Sequence, residues 1–204
     1  MKKKTLALTL ASIMISSLTI QSCKKEGCTD EMATNYEADA KDDDGSCEFV
    51  YGCMDAGSLT FNADAVKDDG SCRSFDDWSS WTLTATNQGP SPSLGNAHAG
   101  NDSTVTRKVY FLDSQSASDG KYPVGTMIIK HTSNGDGTLE EYTGMLKRES
   151  GFNAGSGDWE WFVLNADGSV AKDNDGMELR GGNLLSGFCL GCHSHAATDY
   201  VFTK

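Results

Sequence analysis

The densest chemistry in the chain is the pentapeptide Cys189-Leu190-Gly191-Cys192-His193. Two thiols at this spacing suit bonds to the two vinyl groups of a haem, and the adjacent imidazole then falls on the iron, which is the pattern of c-type haem attachment. A redox CxxC would sit early in a βαβ pattern, whereas this one stands near the C-terminus. Half a zinc site would want a second ligand pair, and only His195 is near. Cys189 and Cys192 are therefore read as haem-bearing and His193 as the axial ligand.

The position of the motif bears on the kind of haem protein. A small electron-transfer cytochrome carries its motif early and takes a methionine from further on as second axial ligand, but no methionine follows His193. The iron is expected to be five-coordinate unless Met127, Met145, Met177, His98 or His131 reaches back. An open sixth position suits binding or chemistry of a small ligand more than simple electron relay.

The elements that must position this motif are β-rich. Thr104 to Leu112 alternates, with Val105, Arg107, Val109 and Phe111 on one face. Gly125 to His131 puts Thr126, Ile128 and Lys130 on one side and Met127, Ile129 and His131 on the other. Leu139 to Lys147 is a third strand, and Trp159 to Leu164 a fourth in which Trp159, Trp161 and Val163 share a face. Turns such as Asn134-Gly135-Asp136-Gly137 and Asp167-Gly168 suit antiparallel hairpins. Helix is expected only in short pieces, around Phe75 to Trp81 and from Asn183 through the haem motif. No long 3.6-period segment exists to build a four-helix-bundle cytochrome. The fold class is thus α+β, a mostly antiparallel sheet with a few short helices holding haem against one face.

The N-terminal part reads differently. Residues Met1 to Ser22 have the pattern of an export signal: Lys2, Lys3 and Lys4, then a weakly apolar run from Leu6 to Ile20 that is too short to span a bilayer comfortably. Ile20-Gln21-Ser22-Cys23 is similar to a bacterial lipoprotein box, whose cysteine becomes the lipid-bearing first residue, so that 23–26 would form a lipidated N-terminus. No aspartate follows Cys23, which in such lipoproteins goes with the outer membrane. The expected location is therefore exported and lipid-anchored there, facing the periplasm or the cell surface. Loss of the three lysines takes the formal charge from −12 to −15. An acidic surface argues against nucleic acid; it suits docking to a basic redox partner as electron acceptor, and solubility alone explains it equally well.

Between these parts lies an internal repeat with a period of 25 residues. Gly27-Cys28 matches Gly52-Cys53, and Asp43-Asp44-Gly45-Ser46-Cys47 matches Asp68-Asp69-Gly70-Ser71-Cys72, so that 27–49 and 52–74 form two small units. A cysteine at either end of each copy suggests the disulfides Cys28-Cys47 and Cys53-Cys72, although two other pairings are compatible with the sequence. Either loop would gain about 3 kcal/mol in the chain-entropy model, useful for a unit with almost no core. With Cys23 for lipid and Cys189 and Cys192 for haem, all seven cysteines are then used. Asp42, Asp43 and Asp44, or Asp68 and Asp69, offer hard oxygen ligands for calcium. Their spacing does not fit an EF-hand and Asp-Gly is ordinary turn chemistry, so a disulfide-pinned spacer is the favoured reading. The repeats resemble the GC-[TM]-D…N-Y…A…DDGSC modules of secreted and surface proteins of the Bacteroidetes; in the second copy Thr60 and Phe61 replace the asparagine and tyrosine.

From Phe75 to the end, the chain resembles the cytochrome P-four-sixty family and its relative, the beta-type cytochrome c-prime. The resemblance rests on FDDW (75 to 78), RKVYFLD (107 to 113), GTMIIKH (125 to 131), GDWEWFVL (157 to 164) and CLGCHSHAATDYVFT (189 to 203). It implies a β-rich homodimer that binds haem c, cross-links a strand lysine to the porphyrin and oxidises hydroxylamine to nitric oxide or nitrous oxide. The lysine of that pattern falls on Lys130 and the strand arginine on Arg107, a candidate for the distal pocket. Apart from the resemblance, Lys130 is simply a strand lysine and Arg107 a cross-strand ion-pair partner. The family also keeps a carboxylate near the iron, and here none is assigned: Gly182 to Phe188 is uncharged, and Lys147 is followed by Arg148 before Glu149. A pocket without its base would bind nitric oxide but turn hydroxylamine over poorly. The alternatives carried forward are thus a non-catalytic five-coordinate haem protein that binds nitric oxide, or an electron-transfer cytochrome.

Overall fold

The computed structural model describes residues 24–202. The expected signal peptide and the lipidated Cys23 lie outside the described residues. Two compact units divide the chain, one ending at Val50 and the other running from Tyr51.

The first unit is the first repeat. Cys28 and Cys47 are disulfide-bonded, and the short strands β1 (Glu26–Gly27) and β2 (Asp42–Asp43) pair in parallel. Asp43 and Asp44 spend their carboxylates on the Asp-Gly turn, accepting the amides of Gly45 and Ser46. Asn35 crosses the unit, donating to the Ser46 carbonyl at 2.6 Å and accepting the Glu48 amide at 2.8 Å.

The second unit contains the second repeat together with the large sheet. Cys53 pairs with Cys72, and β3 (Tyr51–Gly52) runs parallel to β4 (Lys67–Asp68). Thr60 takes over the role of Asn35: its hydroxyl donates to the Ser71 carbonyl at 2.7 Å and accepts the Arg73 amide at 3.1 Å. A shorter side chain thus keeps both bonds, which is why the second copy tolerates the change. The Leu59 carbonyl then receives the Arg148 guanidinium at 2.6 Å, fastening this repeat to the sheet.

The sheet is a six-stranded antiparallel meander in the order β5 (Thr82–Gln88), β6 (Val105–Phe111), β7 (Met127–Asn134), β8 (Glu140–Lys147), β9 (Trp159–Leu164), β10 (Arg180–Gly181). Four of these strands are the ones the alternation predicts, within two or three residues at their ends. The edge strands β5 and β10 are additional: β5 carries little apolar alternation and bulges between Leu83 and Ala85, and β10 is two residues long. The expected helix at Phe75 to Trp81 is a single 3₁₀ turn, Trp78–Ser80, and the α-helix among the described residues is α1 (Leu184–His193).

Both faces of the sheet are covered. On one face Met127, Ile129, Leu146 and Phe162 pack against Phe75 and Trp81. Gly144 makes this possible, because a Cβ there would lie 2.7 Å from the Phe75 ring. On the other face Val109, Ile128, Met145, Trp159 and Trp161 pack with Tyr122, Leu184 and Val201. The period of two therefore sorts β7 as expected, Ile128 to one side and Met127 and Ile129 to the other. The second face is the one that meets α1.

Candidate functional site

Helix α1 begins irregularly, with Leu185, Ser186 and Gly187 at φ of 53°, 56° and 82°, left-handed values that only glycine adopts without strain. Cys189 and Cys192, three apart, then fall on one side of the final turns. Both are free thiols, half-buried, and both line a cavity of about 350 Å³ whose floor is the sheet face carrying Val109, Ile128, Lys130, Met145 and Trp161. That volume lies at the lower end of the range of small-molecule and cofactor sites. Burial pushes the Cys189 thiol up, so it stays protonated at neutral pH.

His193 enters the same cavity with its tautomer fixed. Its Nδ1 lies 2.6 Å from the Tyr200 carbonyl, which can only accept, so Nδ1 carries the hydrogen and Nε2 keeps its lone pair. Burial drives the imidazole down to about 4 despite the opposing pull of that carbonyl, with Lys130 and His98 adding to the fall. A neutral imidazole held through Nδ1 is what a metal-ligating histidine requires.

The acceptor is itself held from behind. Asp199, 5% exposed, accepts Lys147 Nζ at 3.0 and 2.9 Å and the Tyr122 amide at 2.8 Å, and Lys147 also donates to the Gly157 carbonyl. Asp199 and Tyr200 both have positive φ, 42° and 64°. The buried ion pair thus keeps a strained segment in place and, with it, the carbonyl that orients His193.

The opposite wall carries three polar groups. Lys130 on β7 is pushed down to about 8, chiefly by burial, with the Arg107 charge adding to the shift and Glu141 opposing it. Glu141 on β8 lines the cavity, and its Oε1 lies 2.6 Å from Nδ1 of His98. That bond holds the Glu141 carboxyl below its usual range, while burial holds His98 below its own although Glu141 pulls the other way.

Arg107, the distal-pocket candidate of the resemblance, is held by the backbone beside it. It is 2% exposed, and Nε, Nη1 and Nη2 donate to the carbonyls of His98, Gly89 and Ala99 at 2.6, 2.9 and 2.8 Å. Its guanidinium fastens the loop 89–100 and, outside the 350 Å³ cavity, lines an adjoining one with Val109, Lys130 and Cys192. Of the side chains offered for a sixth iron position, Met127 lies in the core of the opposite face, His131 stacks on Tyr142 on that face, and Met177 is exposed. Met145 and His98 line the cavity.

Glu141 and its pairing with His98 are what sequence reading missed. Alternation along β8 places Glu141 with Thr143 and Met145, but only the register Lys130↔Thr143 and Thr132↔Glu141 shows that this face is the one bearing Lys130.

Among the described residues no three His, Cys, Asp or Glu side chains gather as they would around a bare metal ion. Trp161 lines the cavity, and its buried Nε1–H has no acceptor among the described residues, a state costing about 1–3 kcal/mol. Comparisons with protein-family models and with curated proteins return no match for this chain.

Proposed function

We propose that this chain is an exported c-type haem protein that acts as an oxidoreductase on small nitrogen species, taking hydroxylamine to nitric oxide or nitrous oxide. One observation carries the reading: α1 turns two free thiols and a neutral imidazole, its Nδ1 already engaged, into a single largely apolar cavity. Cys189 and Cys192 would hold the macrocycle through thioethers, and His193 Nε2 would bind the iron. The haem, when bound, supplies the redox centre at which the nitrogen species is oxidised.

The remaining roles belong to the chain. Lys130 has an amine of lowered basicity facing the cavity, which supports its attachment to the porphyrin, since only a neutral amine is nucleophilic. Glu141 places an ionised carboxylate in the pocket beside His98, and this pair favours turnover over simple nitric oxide binding. Val109, Ile128 and Trp161 exclude water from the cavity. The acidic surface suits a basic redox protein as acceptor, and the lipid on Cys23 would anchor the molecule, as a homodimer, to the outer membrane.

The test is the full-length protein from a cytochrome-maturing host. Expected are a covalent haem spectrum, a tryptic peptide in which Lys130 carries the porphyrin, and hydroxylamine-dependent reduction of an acceptor that Lys130→Leu diminishes. Colourless protein would overturn the haem reading. A free Lys130 peptide with no turnover would leave a haem protein that binds nitric oxide.

A further inference from the structure

Resting on that reading and deepening it, we propose that His98, through Nε2, is the proton acceptor of this cavity, and that Glu141 is the group that orients it for a small ligand bearing an O–H or N–H bond. A carboxylate only accepts, so the 2.6 Å contact to Glu141 places the hydrogen of a neutral His98 on Nδ1. Nε2 makes no hydrogen bond among the described residues and keeps its lone pair in a side chain that lines the cavity. The step moves no electrons on the chain: the ligand's O–H or N–H bond breaks, an N–H bond forms at Nε2, and the resulting imidazolium is paired with Glu141. This is the division of labour of a carboxylate–histidine pair, in which the carboxylate fixes the tautomer and stabilises the cation without taking the proton itself.

Three features unrelated to the Glu141 contact hold the ring in position. Arg107 donates to the carbonyls of His98 and Ala99, clamping the backbone on which the imidazole stands. His98 and Ala99 sit at φ of 48° and 50°, strained for residues with a Cβ, and such strain persists where the surroundings enforce it. The loop behind them is closed tightly, with the Ser91 amide 2.7 Å from the Gly100 carbonyl and no room for a Cβ at Gly100 against Gly95 and Leu94.

The charged groups facing His98 are Glu141 on β8, Lys130 on β7 and Arg107 on β6. The two cations and burial favour the neutral, proton-accepting form, and Glu141 favours the product imidazolium. Partial exposure of the His98 side chain, 17%, gives the accepted proton a route to solvent.

Ring ¹⁵N spectra of the full-length protein, as isolated and as the reduced carbonyl form, test the assignment directly. Expected is an Nδ1–H tautomer for His98 that becomes mixed in Glu141→Gln. His98→Gln is expected to keep the haem spectrum and lower hydroxylamine turnover about 100-fold or more, abolishing the acidic limb of its pH profile. An Nε2–H tautomer, wild-type turnover in His98→Gln, or a low-spin iron signal that His98→Gln removes would each overturn the proposal, the last by making His98 a ligand. Protein without haem absorbance would sink the functional reading alone, because the ring spectra report the tautomer with or without it.

Discussion

At the residue scale, the site is governed by burial acting on groups that water would otherwise level. Lys130 holds its proton to about 8 in the folded chain against an ordinary value of 10.5, so between those values an unfolded chain binds more protons than the folded one. Stability is therefore expected to rise as pH goes from about 8 to about 10.5 while the amine is free. Denaturation midpoints across that window should show the rise, and Lys130→Met or covalent attachment of the amine should abolish it. Asp199 is the complementary case, a buried anion whose cation partner stays behind when it is removed. Asp199→Asn is expected to cost about 3–5 kcal/mol in urea denaturation. It should also loosen His193, read as a changed iron–histidine stretching frequency. The placing of Cys189, Cys192 and His193 on one short helix was legible because the three are close together along the chain. Glu141 was not, because a carboxylate in an alternating strand is indistinguishable from a solvated one until the register is known.

At the scale of elements, the meander was readable wherever one face is buried. Hydrophobic alternation in β6 reports directly which residues face α1, whereas β7 and β9 are buried on both faces and only the period of two sorts their residues. Edge strands escape this logic: β5 is defined by its hydrogen bonds to β6 more than by its own side chains. Gly144 shows how closely the Phe75 face is fitted. Gly144→Val would drive a side chain into the Phe75 ring and is expected to cost about 1–3 kcal/mol. For a unit of this size that is a fall in Tm of roughly 2–4 °C per kcal/mol, measurable by calorimetry. Unchanged Tm would mean that Phe75 moves aside without loss.

At the scale of the whole molecule, charge and covalent staples do the work that a small core cannot. The two repeats rely on a disulfide and on side chains that cap their own turns, Asn35 in one and Thr60 in the other. The formal charge, −12 for the whole sequence and −15 without Lys2, Lys3 and Lys4, gives the surface a field that reaches about 10 Å at 0.1 M salt. If electrons leave to a basic acceptor, the second-order rate of acceptor reduction should fall steeply between 0.01 and 0.15 M ionic strength, roughly where the Debye length shrinks from 30 to 8 Å. A salt-independent rate would point to an uncharged docking surface.

The sequence by itself determined the CxxCH motif, the repeat with its cysteine spacing and the faces of the buried strands, because each depends on residues close together along the chain. Which cysteines pair was open until the fold brought Cys28 to Cys47 and Cys53 to Cys72. Only the tertiary structure decided that Arg107 braces a loop, that Lys147 and Asp199 stand behind His193, and that Glu141 meets His98. Those partners are separated by up to 52 positions, and their meeting depends on strand register and loop conformation, which no local pattern of residue types encodes.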